Sequence, residues 1–325
     1  MKYPSSFTIR DIKIDPAVIL APMEGVTNLV FRRLIREIGG TGLTYTEFIA
    51  SSALASKGKH VLELAKFDPD EYPIAIQIFG RDPVQMAAAA RVVQDLGATI
   101  IDINMGCPSK KVCAHSGGSA LMKEPDLAIE IVRQVKQAIE IPLTVKMRAG
   151  FDHSFRNAPQ LAYACQEEGA EMITVHWRTR KDLYGGVQEW DTIKKVKEMV
   201  SIPVIGNGDI IDIPSAKKMF AQTGCDGLMI GRGAMKNPWA LLEIASFLKG
   251  DDFLYPTPQE KKELLFRFLD RYYEFFQHQK ATLGKFKQVA KYFCEDLPDT
   301  QTFRKELLRS QTIEDAREII HEHFN

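Results

Sequence analysis

Eight short runs rich in Val, Ile and Leu recur along the first two-thirds of the chain, and each gives way to a polar side chain. The runs are Val18–Ala21, Leu43–Thr46, Ile74–Ile78, Ile100–Met105, Leu143–Met147, Met172–Val175, Pro203–Ile205 and Gly227–Ile230. Their apolarity is continuous rather than alternating, which suits strands covered on both faces, as in a parallel sheet. Helical periods fill the gaps. Pro83–Leu96 sets Met86, Ala90, Val93 and Leu96 on one side, and Asp126–Ile139 does the same with Leu127, Ile131, Val135 and Ile139 behind a first-turn Pro125. Strand-helix alternation requires right-handed crossovers. Eight such units predict an α/β fold, a closed (β/α)8 TIM barrel.

The runs close on Met23-Glu24, Glu47, Gln77, Asn104, Lys146 with Arg148, His176, Asn207 and Gly231-Arg232. A single strand ending on a polar residue means little. A full ring of them would share the carboxyl-end mouth, where barrel enzymes keep their chemistry.

The chain has 325 residues, 45% hydrophobic and 26% charged, which suits one large domain or one large plus one small. The barrel is expected over residues 1–250. A composition break follows at Lys249-Gly250-Asp251-Asp252, with Pro256 and Pro258 beyond it. From Gln259 onward the pattern is helical, with one stripe through Leu264, Phe268, Tyr272 and Phe275-Phe276 and another through Ile313, Ala316 and Ile320. A small all-helical domain is expected over residues 257–325.

Lys plus Arg balance Asp plus Glu at 42 each, so contact with nucleic acid requires a local basic face. The best candidate runs from Phe275 to Phe293, which holds Lys280, Lys285, Lys287, Lys291 and His278 but no acid. A solvated helix face with inward aromatics is the alternative. No stretch approaches the roughly 20 apolar residues of a membrane span, and Met1–Ser6 lacks a secretory design. Five scattered cysteines, Cys107, Cys113, Cys165, Cys225 and Cys294, fit reduced thiols in a cytoplasm, and no Cys or His pair completes a zinc pattern. No metal, no membrane contact and no protein partner are expected, and the chain is expected to be a monomer.

Asn104-Met105-Gly106-Cys107-Pro108 presents a thiol just beyond the fourth run. Such a cysteine can be a nucleophile, a metal ligand, a proton donor or simply a small buried hydrophobe. Ser116-Gly117-Gly118-Ser119-Ala120 follows, a connector that could form a lid over the mouth. Gly206-Asn207-Gly208-Asp209 and Gly231-Arg232-Gly233 close the last two strands, where barrels commonly bind phosphate through backbone N–H groups, with Arg232 able to add a charge. Lys146, inside an apolar run, must face the polar mouth, because burial of an unpaired ammonium is costly.

Taken in order, Leu20–Asn28, Gln77–Gly80, Asp102–Pro108, Gly118–Leu121, Val145–Arg148, His176–Arg180, Pro203–Ile210 and Gly231–Ala234 resemble the tRNA-dihydrouridine synthase family, with the bacterial B-type enzymes as the nearest branch. The resemblance implies FMN held by Pro22, Met23, Glu24, Gln77, Lys146, His176, Asn207, Gly208, Asp209, Gly231 and Arg232. It implies NADPH as reductant and Cys107 as the catalytic acid. Asn104, Arg148 and Arg178 would meet the substrate, and Lys285, Lys287 and Lys291 would track the tRNA backbone, with rRNA a further candidate. Within that setting Lys146 would stabilise negative charge on the reduced ring, and Gln77 offers its edge both a donor and an acceptor. A target base must leave its stack to reach the mouth.

Glu24, Asn28, Trp177 and Cys113 depart from residues common in relatives. Trp177 is expected to alter how substrate enters, and Cys113 to be open to oxidation with Cys107. Two other readings stand beside this one: a flavin barrel acting on a free pyrimidine, and a non-catalytic RNA-binding protein.

Overall fold

The computed structural model describes residues 3–109, 112, 117–293 and 299–324, with backbone alone at 59 and 60. The eight runs form strands Val18–Leu20, Thr44–Tyr45, Ile74–Phe79, Ile100–Met105, Leu143–Arg148, Met172–His176, Val204–Asn207 and Gly227–Ile230. Each pairs in parallel with its neighbour, and the last returns to the first with Met229 opposite Ile19. A parallel bridge between Ile19 and Leu43, with Leu20 N donating to Leu43 O at 3.0 Å, closes the ring. The fold is an α/β TIM barrel followed by helices. A short extra strand, Ile49–Ala50, pairs with the upper end of Ile74–Phe79.

Alternate side chains of each strand turn inward. The lower interior is a separate apolar cluster of Ile19, Leu43, Tyr45, Ala75, Ile100, Met172, Ile205 and Met229. Two further residues of that cluster, Ile9 and Ile14, come from an antiparallel hairpin of Phe7–Ile9 and Ile12–Ile14 that plugs the barrel floor. The sequence pattern does not announce this hairpin, because its three-residue strands are too short to establish a period. Arg10, at φ 52 in its turn, pairs with Glu171 and donates to Glu140 O, latching the plug to the lower rim.

The crossover helices follow their caps. Asp82 accepts from Gln85 N ahead of Pro83–Asp95, and Pro125 opens Pro125–Ala138. Met86, Ala90 and Val93 are buried as expected. Leu96 is not, at 40% exposed, because the helix has ended and the chain turns away through Gly97 at φ 83.

Ala240–Lys249 ends at the left-handed Gly250, where the composition changes. Helices Pro258–Phe276, Gln279–Ala290, Thr300–Arg309 and Ile313–His323 follow. Leu264, Phe268 and Tyr272 are buried, whereas Phe275, expected on the same stripe, is 40% exposed and packs edge-on to Phe276. Phe268 meets Phe286 and also Phe31 of the barrel's first helix, Leu29–Ile38, with centroids 5.8 and 6.2 Å away. One apolar cluster therefore joins these helices to the barrel. Each fully buried aromatic contributes about 1.5–3 kcal/mol through burial alone. None of the described helices is long and apolar enough to cross a membrane.

Candidate active site

Cys107 sits half-buried where the chain leaves the strand Ile100–Met105, in no disulfide among the described residues. Its backbone is gripped from both sides. Asn104 Oδ1 accepts from Gly106 N at 2.9 Å and Cys107 N at 2.8 Å. Cys107 O accepts from Ser119 N at 3.0 Å and Ser119 Oγ at 2.9 Å. Gly118, at φ 57, permits this approach, since a Cβ there would lie 2.8 Å from Cys107 O. Residues 117–119, part of the connector read as able to form a lid, are buried here, and Ser119 holds the cysteine backbone. Ser116, Cys113 and Cys294 lie outside the described residues.

Beneath the loop runs a chain of polar side chains on three strands. Asn104 Nδ2 donates to Gln77 Oε1 at 2.7 Å, Gln77 Nε2 to Asp102 Oδ2 at 2.6 Å, and Thr144 Oγ1 to Asp102 Oδ1 at 2.5 Å. Gln77, Asp102 and Thr144 are wholly buried and Asn104 nearly so. Burial pushes the Asp102 carboxyl up to about 6, against the hydrogen bonds of Thr144 and Gln77 and the nearby Lys146 charge. Both Gln77 and Asn104 spend their amides in this chain, Gln77 fully beneath the surface of the mouth. Asp102 and Thr144 were not picked out from sequence, although Asp102 and Asn104 share the period-two face of one strand.

The adjoining strand ends are cationic, with Lys146 beside Asn104 in the register of the two neighbouring strands. Lys146 Nζ reaches across to Asn207 Oδ1 at 3.0 Å, and Asn207 Nδ2 donates to Met229 O at 2.7 Å, linking three strand ends. Burial, reinforced by the Arg148 charge, lowers the Lys146 ammonium to about 8. Burial and then Arg148, Lys146, Arg178 and Arg232 hold His176 well below the ordinary histidine range, so its imidazole is neutral. Arg148 is buried and donates to the carbonyls of Gly106, Thr179 and Leu183 at 2.8, 2.7 and 3.0 Å. It braces the cysteine loop against the His176–Tyr184 segment.

Arg178 and Arg232 flank Asp209, with nitrogen-oxygen distances of 2.8 and 3.0 Å. Arg178 also donates to Gly185 O at 2.6 Å and stacks 4.2 Å over Trp177. Trp177 is itself buried in the outer core. Gly208, at φ 111, has no room for a side chain: a Cβ would come within 2.6 Å of Trp177 Cδ1 and 2.8 Å of His176 Nε2.

At the first strand, Met23 N donates to Thr27 Oγ1 at 3.0 Å in a turn that follows Pro22 and leaves Glu24 exposed. A Cβ on Gly231 would lie 3.6 Å from Met23 Sδ, so the first and eighth strand ends converge. Gly25 N donates to Glu47, whose carboxyl is raised by burial, and Gly25 O accepts from Lys285 at 3.4 Å. Lys285 therefore stands at the barrel mouth. Lys287 points elsewhere, to the carbonyls of Leu308 and Ser310 at a helix end, and the Lys291 ammonium lies 4.9 Å over Tyr292. Asn28 caps Leu29–Ile38 and donates to Tyr272 Oη at 3.2 Å, a second tie between barrel and helices.

A flavin mononucleotide suits these residues. Arg178 Nη1 is buried without a hydrogen-bond partner among the described residues, a donor suited to a phosphate oxygen beside Arg232 and the Gly208 backbone. Lys146 supplies a cation and His176, on the neighbouring strand, an uncharged polar edge. No group of three or more metal-ligating side chains occurs among the described residues.

Residues 19–325 match the family model described as dihydrouridine synthase (Dus). The chain is 40% identical over 312 residues to tRNA-dihydrouridine synthase B of Proteus vulgaris, covering 95% of each chain. It is 40% identical over 296 residues to tRNA-dihydrouridine synthase B of Pseudomonas aeruginosa, covering 90% of this chain and 88% of that one. It is 39% identical over 298 residues to a probable tRNA-dihydrouridine synthase of Rickettsia conorii, covering 91% and 89%. A match that runs through every strand end described above and on into the terminal helices places this chain in the dihydrouridine synthase family.

Proposed function

We propose that this protein reduces specific uridines of tRNA to 5,6-dihydrouridine, with FMN as resident cofactor and NADPH as reductant. FMN, when bound, supplies the hydride that is added at uracil C6. Cys107 donates the proton that completes C5, and its thiolate is reprotonated from solvent. Hydride addition at C6 would leave enolate-like charge towards C5, and an acid positioned at that carbon quenches it. Lys146 holds positive charge where the reduced cofactor would carry negative charge. Arg178 and Arg232, with the Asn207–Asp209 and Gly231-Arg232 turns, bind phosphate. Arg148 and Asn104 keep Cys107 in place, and the target base is drawn out of its stack into the mouth. Lys285, at the junction of barrel and helices, is the basic residue best placed to meet the tRNA backbone near the mouth. A cytoplasmic site of action follows from this substrate.

The observation that carries the proposal is a half-buried cysteine fixed by Asn104 and Ser119 at the same mouth as Lys146. The test is to map dihydrouridine in tRNA and rRNA from cells lacking the protein. Specific tRNA positions should lose the modification and regain it on complementation. Unchanged tRNA, together with activity on free uridine or uracil, would support a small-molecule reductase instead.

A further inference from the structure

The amides of Gln77 and Asn104 are nearly symmetric in shape, yet their direction is fixed from both ends. At the upper end Asn104 Oδ1 faces two backbone N–H groups, those of Gly106 and Cys107, which can only donate. At the lower end Asp102 accepts from Gln77 Nε2 and from Thr144 Oγ1 at once. An ionised carboxylate can only accept, so Gln77 must turn its oxygen to Asn104, and Asn104 its oxygen to the cysteine loop. We propose that Asp102 is a positioning residue that sets, through Gln77 and Asn104, the placement of the loop carrying Cys107.

Asp102, Gln77 and Thr144 are wholly buried, so no solvent molecule competes to reorient the chain from outside. With its carboxyl at about 6, Asp102 is ionised at neutral pH. The other titratable groups facing it are Lys146 and Tyr45, whose burial holds the phenol protonated. A buried carboxylate is a costly way to build a barrel interior unless its acceptor oxygens are used, and here one accepts from Gln77 and the other from Thr144. The effect on turnover rests on Cys107 being the proton donor proposed above; the effect on the loop does not.

The test compares Asp102→Leu, Asp102→Asn and Gln77→Met in the full-length, cofactor-loaded protein. Two quantities are read: the iodoacetamide alkylation rate of Cys107, by peptide mass spectrometry, and single-turnover dihydrouridine formation in tRNA. Asp102→Leu should change the alkylation rate at least about threefold and slow turnover about 10–100-fold, the scale of one lost buried hydrogen bond to a charge. Asp102→Asn can still accept from Gln77 and donate to Thr144, and should recover most of both. Gln77→Met breaks the chain one link higher and should give the same change in alkylation and turnover, which keeps the test decisive should Asp102→Leu not fold. Wild-type alkylation and turnover in Gln77→Met, or a loss in Asp102→Asn as deep as in Asp102→Leu, would overturn the proposal. If Cys107→Ala keeps full turnover while Asp102→Leu still alters alkylation, the acid role fails and the positioning role stands.

Discussion

Lys146 Nζ donates to Asn207 Oδ1 at 3.0 Å, passing over the one intervening strand Met172–His176. That span ties the fifth strand to the seventh and holds an ammonium in a largely buried place. Because burial lowers it to about 8, its charge is present below that pH and lost above it. FMN affinity of the stripped protein should therefore fall as pH rises through 8, by up to about tenfold per unit. Fluorescence titration of FMN between neutral and alkaline pH checks this; a flat profile would remove Lys146 from cofactor binding. Lys146→Met should bind weakly throughout.

Asp102 yields a prediction about stability. Its folded carboxyl sits at about 6 against an ordinary 3.8, so the native state holds the proton more tightly and stability is lost as pH rises through that window. Two units correspond to on the order of 3 kcal/mol. Asp102→Asn, which cannot titrate, should therefore gain more stability over wild type at pH 8 than at pH 4. Equal differences at both values, read by thermal unfolding, would mean the carboxyl is not perturbed.

Arg32 and Glu71 are completely buried and paired at 2.7 Å, and Arg32 also donates to Thr27 O and Lys66 O at 2.9 and 2.7 Å. The pair thus supports the turn that carries Met23. Removing one partner leaves a buried charge uncompensated, so Glu71→Ala should cost about 3–5 kcal/mol in denaturant unfolding. A cost under about 1 kcal/mol would show that the site relaxes or hydrates freely.

Lys285 and Lys287 of the helical segment should separate. Lys285 faces the mouth, whereas Lys287 is engaged with the carbonyls of Leu308 and Ser310. Lys285→Ala should weaken tRNA binding and flatten its salt dependence by about one counterion. Lys287→Ala should lower stability and leave the salt slope close to wild type. Identical salt slopes for both variants and wild type would move the RNA contact away from this helix.

The barrel was legible because parallel strands covered on both faces must be continuously apolar, as Ile100–Met105 and Leu143–Arg148 are, and because their polar ends all open on one side. The terminal helices were legible through Leu264, Phe268 and Tyr272, and misread at Phe275, where the stripe had already rotated out of the core. The floor hairpin was not legible, since Ile9 and Ile14 carry no period of their own and acquire meaning only beneath Ile19 and Met172. Asp102 was hidden inside an apolar run. Its role depends on Gln77 and Thr144, which lie 25 and 42 residues away in sequence. Charge alone could not distinguish Lys285 from Lys287, because what separates them is the nearest carbonyl.

Cys107→Ala offers the most direct test of the central claim, in a single-turnover assay with reduced, FMN-loaded protein and unmodified tRNA. The variant should keep its flavin absorbance and tRNA affinity while dihydrouridine formation slows by about 100-fold or more, the usual scale for loss of a positioned acid. An unchanged rate with the same flavin content would contradict the assignment of Cys107 as the proton donor.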